Sequence, residues 1–175
     1  LAEIRKQIDE GDTESALRGL YAVIDAHPGD ARTYIVEAEI AAVSGQGDIP
    51  SLINTLTRMV RDRPTQWEPR AALGRLMLRP GQMQNVRFGM AHLEEAWRTS
   101  GEHARAGLFL FEAYAVVDKR ALALALGQQL AKGEGPEAAL VRQLIGEVAP
   151  PVPSKPFSKP PRPEFLSDEG DAETD

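Results

Sequence analysis

One pattern occurs twice in the first 64 residues, and it constrains the fold more than any other feature of this chain. Each copy begins with a Gly-Asp pair, continues with apolar residues at helical spacing and ends at a proline: Gly11 to Pro28, then Gly47 to Pro64. The two copies have the same length and follow each other at a period of about 36 residues. A fixed period of this size is typical of stacked helical hairpins. It favours a binding scaffold over a single compact catalytic core.

The residues at the ends of each copy explain where helices begin and end. Asp12 and Asp48 follow the turn glycines and are good N-caps, because an aspartate side chain accepts hydrogen bonds from first-turn N–H groups. Pro28 and Pro64 end the helices, since proline cannot continue a helix. Thr65 is the predicted cap of the helix that follows Pro64.

Further helices follow, and the last of them has the composition of an end cap. The third pair begins near Trp67, is interrupted at Pro80-Gly81 and carries Gly89 in its second helix; a fourth pair comes next. The final helix begins at Pro136 and has one apolar face, which consists of Leu140, Val141, Leu144, Ile145 and Val148. Such a helix can dock with one face and leave the other in water, as the end of a stack requires.

The pattern therefore predicts an all-α fold over residues 1–148, an α–α superhelix of about four helical hairpins plus a capping helix. Residues 149–175 form a separate segment, rich in proline at first and acidic at its end. Proline-rich sequence favours an extended conformation, and we expect this tail to dock on a partner or on the helical array, or else to remain a linker. Its candidate anchors are Phe157, Arg162, Phe165 and Leu166.

Composition excludes several classes of function. The chain has no cysteine, which excludes disulfides, thiolate nucleophiles and zinc–thiolate sites. Its net charge is −6, so the whole chain does not match the charge of nucleic acid. No apolar run approaches the roughly 20 residues of a membrane span. Because the chain begins with Leu1, a preceding signal peptide, membrane anchor or other segment is an open alternative. The cell envelope and the cytoplasm are both open as compartments.

No catalytic residue, metal site or cofactor site is predicted. His92 and Glu95 form one His-x-x-Glu pair, whereas a di-iron bundle needs Glu-x-x-His motifs on two helices and further glutamates. The glycine pairs at 45–47 and 133–135 neither follow a strand nor precede a Lys-Ser/Thr pair, so they indicate turns rather than phosphate loops. Histidine and tryptophan residues are expected at helix ends and in helix packing.

The repeat resembles the tetratricopeptide family. In the first two units, Ala16 and Leu52 stand at the close-packing position, Leu20 and Leu56 at the large position, and Pro28 and Pro64 at the end. The third unit has Leu73-Gly74 and Met77, similar to the family's Leu-Gly pair and the large residue that follows it, and the fourth has Leu110, Tyr114 and Ala123 in the corresponding roles. Gly89 stands where the family pattern has alanine, and an insertion lies around residues 80–85. The resemblance implies a right-handed superhelix with a concave groove lined by the first helix of each pair.

The resemblance also implies which side chains line that groove. The positions are Arg32, Ile35, Glu39, Glu68, Arg75, Leu78, Arg105, Leu108 and Glu112, with Ala42, Ala71 and Ala115 between them. The Lys/Asn clamp of the chaperone-binding members is absent. An extended protein segment, read by Arg–carboxylate pairs and apolar contacts, fits these positions better.

These observations lead to two functional hypotheses. The first is a non-enzymatic adaptor that binds protein partners through the groove and the tail and assists the assembly or stabilisation of a larger complex, which could be membrane-associated. The excess of arginine over lysine suggests a bacterial source. The second hypothesis is a regulatory or accessory repeat domain of a larger enzyme whose catalytic part is missing.

Overall fold

The computed structural model describes residues 1–79 and 85–148. Within them the chain is all-helical, and no strand occurs in these two ranges. The helices are α1 (Ala2–Asp9), α2 (Thr13–Ala26), α3 (Ala31–Ser44), α4 (Ile49–Asp62), α5 (Trp67–Met77), α6 (Val86–Thr99), α7 (Ala104–Val116), α8 (Arg120–Leu130) and α9 (Pro136–Val148). The interruption at Pro80-Gly81 and the tail with its candidate anchors lie outside the described residues.

The helices form four antiparallel hairpins and a closing helix, which confirms the predicted α–α superhelix. Each odd-numbered helix packs against the next odd-numbered one, from α1 through to α9. Each even-numbered helix packs against its own hairpin partner and the odd-numbered helix that follows it. The odd-numbered helices therefore form the inner layer, and their exposed faces form the concave surface.

The predicted caps at the glycine turns are present. Asp12 Oδ1 accepts a hydrogen bond from the Ser15 N–H at 3.1 Å, and Asp48 Oδ1 accepts one from the Ser51 N–H at the same distance. The prediction for Thr65 was wrong. Gln66 occupies the N-cap position of α5, and its side chain makes no capping hydrogen bond.

The α5–α6 hairpin is packed too closely to accept a side chain at either of two facing glycines. A Cβ atom on Gly74 would lie 2.7 Å from Leu93 Cγ and 2.9 Å from the carbonyl oxygen of Gly89. A Cβ atom on Gly89 would lie 2.7 Å from Leu78 Cγ. This contact explains why Gly89 departs from the alanine of the family pattern: the two backbones approach until there is no space for a methyl group.

Helix α9 closes the array as its sequence predicts. Ala138 and Val141 are buried, and Leu140, Leu144 and Val148 pack against the hydrophobic core to which α5, α6, α7 and α8 contribute. The opposite face carries polar side chains exposed to solvent, among them Arg142, Gln143 and Glu147. Across the described ranges, no helix is both long enough and apolar enough to cross a bilayer.

Candidate functional site

The concave face brings the predicted groove residues together, but it buries many of them. The side chains of Ile35, Glu39, Leu78, Arg105 and Leu108 are buried. Three more, Glu68, Arg75 and Glu112, are partly buried, and Arg32 is exposed. The role of these residues in partner binding therefore stays a prediction. The structure shows the contacts that they make with one another within the fold.

Arg105 connects four of the five inner helices. Its side chain, at the start of α7, is only 7% exposed. Nη2 donates to Glu39 Oε2 of α3 at 2.9 Å, and Nη1 donates to Asp9 Oδ2 of α1 at 3.1 Å. The same Nη1 lies 3.9 Å from Glu137 Oε1 of α9. One guanidinium thus links the first, second, fourth and last inner helices; we call Arg5, Asp9, Glu39, Arg105 and Glu137 the Arg105 cluster.

Pairing within the Arg105 cluster is required by its burial. The Glu39 side chain is 3% exposed and also lies 3.4 Å from Arg5 Nη2. Burial by itself would lower the pKa of Arg105, but the charges and hydrogen bonds of Glu39 and Asp9 hold that pKa above its ordinary value. A charge removed from water is tolerated only when such partners surround it. The cluster therefore closes this part of the concave face.

A second ion pair lies further along the same face. Arg75 Nη2 of α5 donates to Glu112 Oε2 of α7 at 3.0 Å. The Arg75 guanidinium also stacks 4.1 Å from the ring centroid of Phe109, and Arg105 lies 5.1 Å from the same ring. Stacking of arginine on an aromatic face adds a favourable electrostatic contact. Phe109 thus joins the Arg105 cluster to the Arg75–Glu112 pair.

The concave face remains open beside the Arg75–Glu112 pair. A cavity of about 130 Å³ lies there among the ends of α3, α5 and α7. We call its wall the open half; it includes Ala42, Arg75, Leu78, Phe109, Glu112 and Val116. Val116 is 61% exposed, although it is a large apolar side chain on an inner helix.

Arg32 and Glu68 lie at a different place, around a cavity of about 650 Å³ at the starts of α1, α3 and α5. Arg32 forms a bidentate pair with Asp30 through Nε and Nη2, at 3.0 and 2.7 Å. The hydrogen bonds from the Arg32 side chain and backbone lower the pKa of Asp30 to about 2. Asp30 is also the N-cap of α3, because its Oδ1 accepts the backbone N–H of Arg32 at 3.0 Å.

The remaining polar candidates have structural roles. His103 is the N-cap of α7: its Nδ1 accepts the Arg105 N–H at 3.3 Å, and its ring lies 4.8 Å from that of Trp67. Burial, together with the charge of Arg70, lowers the pKa of His92. Within the part of the chain that the structure describes, no group of three or more His, Cys, Asp or Glu side chains is placed to hold a metal ion.

The described helices have the fold of a tetratricopeptide-like helical repeat. The array superposes with a TM-score of 0.63 on the crystal structure of a thermophilic tetratricopeptide-repeat protein from Thermus thermophilus. The match covers 85% of this chain and 78% of that one, at 18% sequence identity, so the likeness is one of fold. No protein-family model matches the chain, and no curated protein does.

Proposed function

We propose that this protein is a non-enzymatic interaction scaffold that holds an extended segment of a partner protein in the open half of its concave face. The observation that carries the proposal is the exposure of Val116 beside the Arg75–Glu112 pair, on the inner layer of a helical-repeat fold. Towards the start of α7, the Arg105 cluster already occupies the same face. The open half therefore differs from the larger cavity at Arg32 and Glu68 in that it places an exposed apolar side chain beside a partly buried ion pair.

The chemistry of the open half suits an extended peptide. Arg75 Nη1 is buried and makes no hydrogen bond among the described residues, so a shift of this side chain towards the cavity would let Nη1 donate to a carboxylate or a carbonyl oxygen of the bound segment. Glu112 is partly exposed and can accept a backbone N–H. Leu78, Ala42 and Val116 supply apolar contact around these polar groups. Apolar contact with a few fixed polar groups is how a groove gains affinity and fixes the register of a peptide.

We further propose that this binding assists the assembly or stabilisation of a larger, bacterial complex. In this proposal the scaffold contacts the complex at more than one place, and the tail provides the second contact. Linking two weak contacts on one chain raises overall affinity through effective concentration. A tether before Leu1 would act in the same way, by holding the array close to a membrane-associated complex.

Val116→Asp is expected to reduce capture of the partner at least about tenfold, because a carboxylate buried at an apolar contact costs more than about 1.4 kcal/mol. The measurement is quantitative affinity capture with the purified chain as bait, followed by mass spectrometry. Since Val116 is exposed, the substitution leaves the core untouched.

The matched control is Leu122→Asp on α8, which exchanges a similarly exposed aliphatic side chain on the outer layer for the same carboxylate. Capture by this control is expected to equal that of the unaltered chain. Equal capture by the Val116 and Leu122 variants would remove the open half from the binding surface, and with it the proposal.

A further inference from the structure

A cleft of about 820 Å³ separates the first helix from the last, above the start of α7. The Arg105 cluster forms its inner end, because Arg105 reaches Asp9 on one wall and lies near Glu137 on the other. The floor and far wall are apolar, with Ala2 on α1 and Pro136, Ala139 and Leu140 on α9. An apolar side chain placed here would bury its surface against both ends of the array.

The charges that remain available in the cleft are mainly negative. Arg5 and Arg105 also line it, but both are committed to the buried carboxylate of Glu39. Among the described residues, Glu10 pairs with Lys6 alone, at 3.8 Å, and both side chains are largely exposed. Glu137 is 3.9 Å from Arg105, beyond hydrogen-bonding distance. At the rim Lys6 balances Glu10, and Glu137 adds one further carboxylate beside the apolar floor, which suits an apolar side chain flanked by basic ones.

We propose that residues 155–159 of this same chain bind in the cleft, with Phe157 on the apolar floor. The segment reads Lys-Pro-Phe-Ser-Lys, so Lys155 and Lys159 flank the aromatic ring on both sides. They complement the carboxylate of Glu137 and compete with Lys6 for that of Glu10. Pro156 limits the number of unbound conformations, which reduces the entropy lost on docking.

The length of the chain allows this contact within one molecule. The tail begins directly after Val148, where α9 ends. Leu140 lies eight residues earlier on that helix, a distance of about 12 Å at 1.5 Å per residue. Phe157 lies nine residues beyond Val148, and an extended proline-rich segment of that length spans about 28 Å. The tail can therefore reverse direction, run back beside α9 and still place Phe157 at Leu140.

The second phenylalanine of the tail does not meet the same conditions. Phe165 follows Glu164, precedes Asp168 and is followed by acidic residues up to Asp175, with no base among them. These carboxylates are negatively charged, like Glu137 at the rim of the cleft, and would be repelled from it. Phe157 is thus selected over Phe165 by charge, which provides an internal control.

Disulfide trapping tests the contact in the full chain, since the natural sequence has no cysteine. Ser158→Cys is combined either with Ala139→Cys in the cleft or with Gln128→Cys. Gln128 is exposed in the last turns of α8, near the turn that leads into α9, so a free tail reaches both positions about equally. We expect the 158–139 pair to oxidise within one molecule at least about tenfold faster than the 158–128 pair, through its higher effective concentration.

Phe157→Ala in the 158–139 pair is expected to lower the oxidation rate to that of the 158–128 pair, whereas Phe165→Ala leaves it unchanged. Equal rates for the two cysteine pairs would overturn the proposal, and so would a rate that depends on Phe165 rather than Phe157. Disulfide-linked dimers in place of the internal bond would overturn it too, because they would assign the cleft to the tail of a second copy.

Discussion

Replacement of Arg105 by methionine is expected to lower the free energy of unfolding by about 3–5 kcal/mol, the usual result of removing one partner of a buried ion pair. The substitution leaves the carboxylate of Glu39, which is 3% exposed, with Arg5 as its remaining partner at 3.4 Å. It also releases Asp9 of α1 from α7. Urea denaturation followed by circular dichroism measures the change.

The unfolding transition of this variant is also expected to become broader. In a helical array each unit contacts mainly its neighbours, so the ends can separate from the middle. Arg105 counters this tendency by linking α7 to α1 and α3, neither of which is its neighbour in the inner layer. Without the link, the first hairpin is free to unfold before the rest.

Two controls separate this effect from a general loss of arginine. Arg32→Met removes an arginine from a solvent-exposed pair with Asp30, and exposed pairs contribute little, so its transition should coincide with that of the unaltered chain. Arg105→Met combined with Glu39→Leu removes both buried charges and should recover most of the loss. A single Arg105→Met variant as stable as the unaltered chain would show that the cluster does not hold the ends together.

Gly74→Ala is expected to destabilise the chain by about 1–3 kcal/mol through overpacking, although alanine is the better helix former. The added methyl group would lie 2.7 Å from Leu93 Cγ and 2.9 Å from the carbonyl oxygen of Gly89. The leucine can rotate, but the backbone oxygen cannot move without separating α5 from α6. Thermal or urea denaturation measures the loss.

Gly146→Ala is the matched control for this prediction. Gly146 lies in α9, and a Cβ atom there would meet nothing within 4 Å. Here only helix propensity operates, so the free energy of unfolding should rise by about 0.5–1 kcal/mol. If both glycine variants shift the free energy of unfolding in the same direction, close packing of α5 against α6 does not explain why position 74 is a glycine.

The helices and their order could be predicted from the sequence because their signals are local. A turn glycine followed by aspartate and a proline at the end specify each copy within a few residues, and the caps at Asp12 and Asp48 follow from this pattern. Thr65 failed as a cap because α5 begins one residue later than the pattern suggests. Such shifts of one residue depend on how the helix docks, which local sequence does not record.

The contacts of the concave face could be predicted only in part. The family pattern assigns Glu39 and Arg105 to groove positions on separate helices, but their hydrogen bond joins residues that are 66 apart in sequence. Whether two such side chains meet depends on the curvature of the array, which arises from packing at every helix pair. For the same reason no local signal marks Asp9 and Glu137 as members of the cluster: in the sequence, each resembles an ordinary polar residue near a helix end.

Site-specific photo-crosslinking tests the central claim, that the open half of the concave face is a protein-binding surface, most directly. A photoreactive amino acid is placed in the full chain at position 116 or, as the control, at position 122, and the protein is irradiated in a lysate of its source. The account predicts a discrete protein adduct from position 116 and none from position 122. Equal adducts from both positions, or an adduct from position 122 alone, would contradict it.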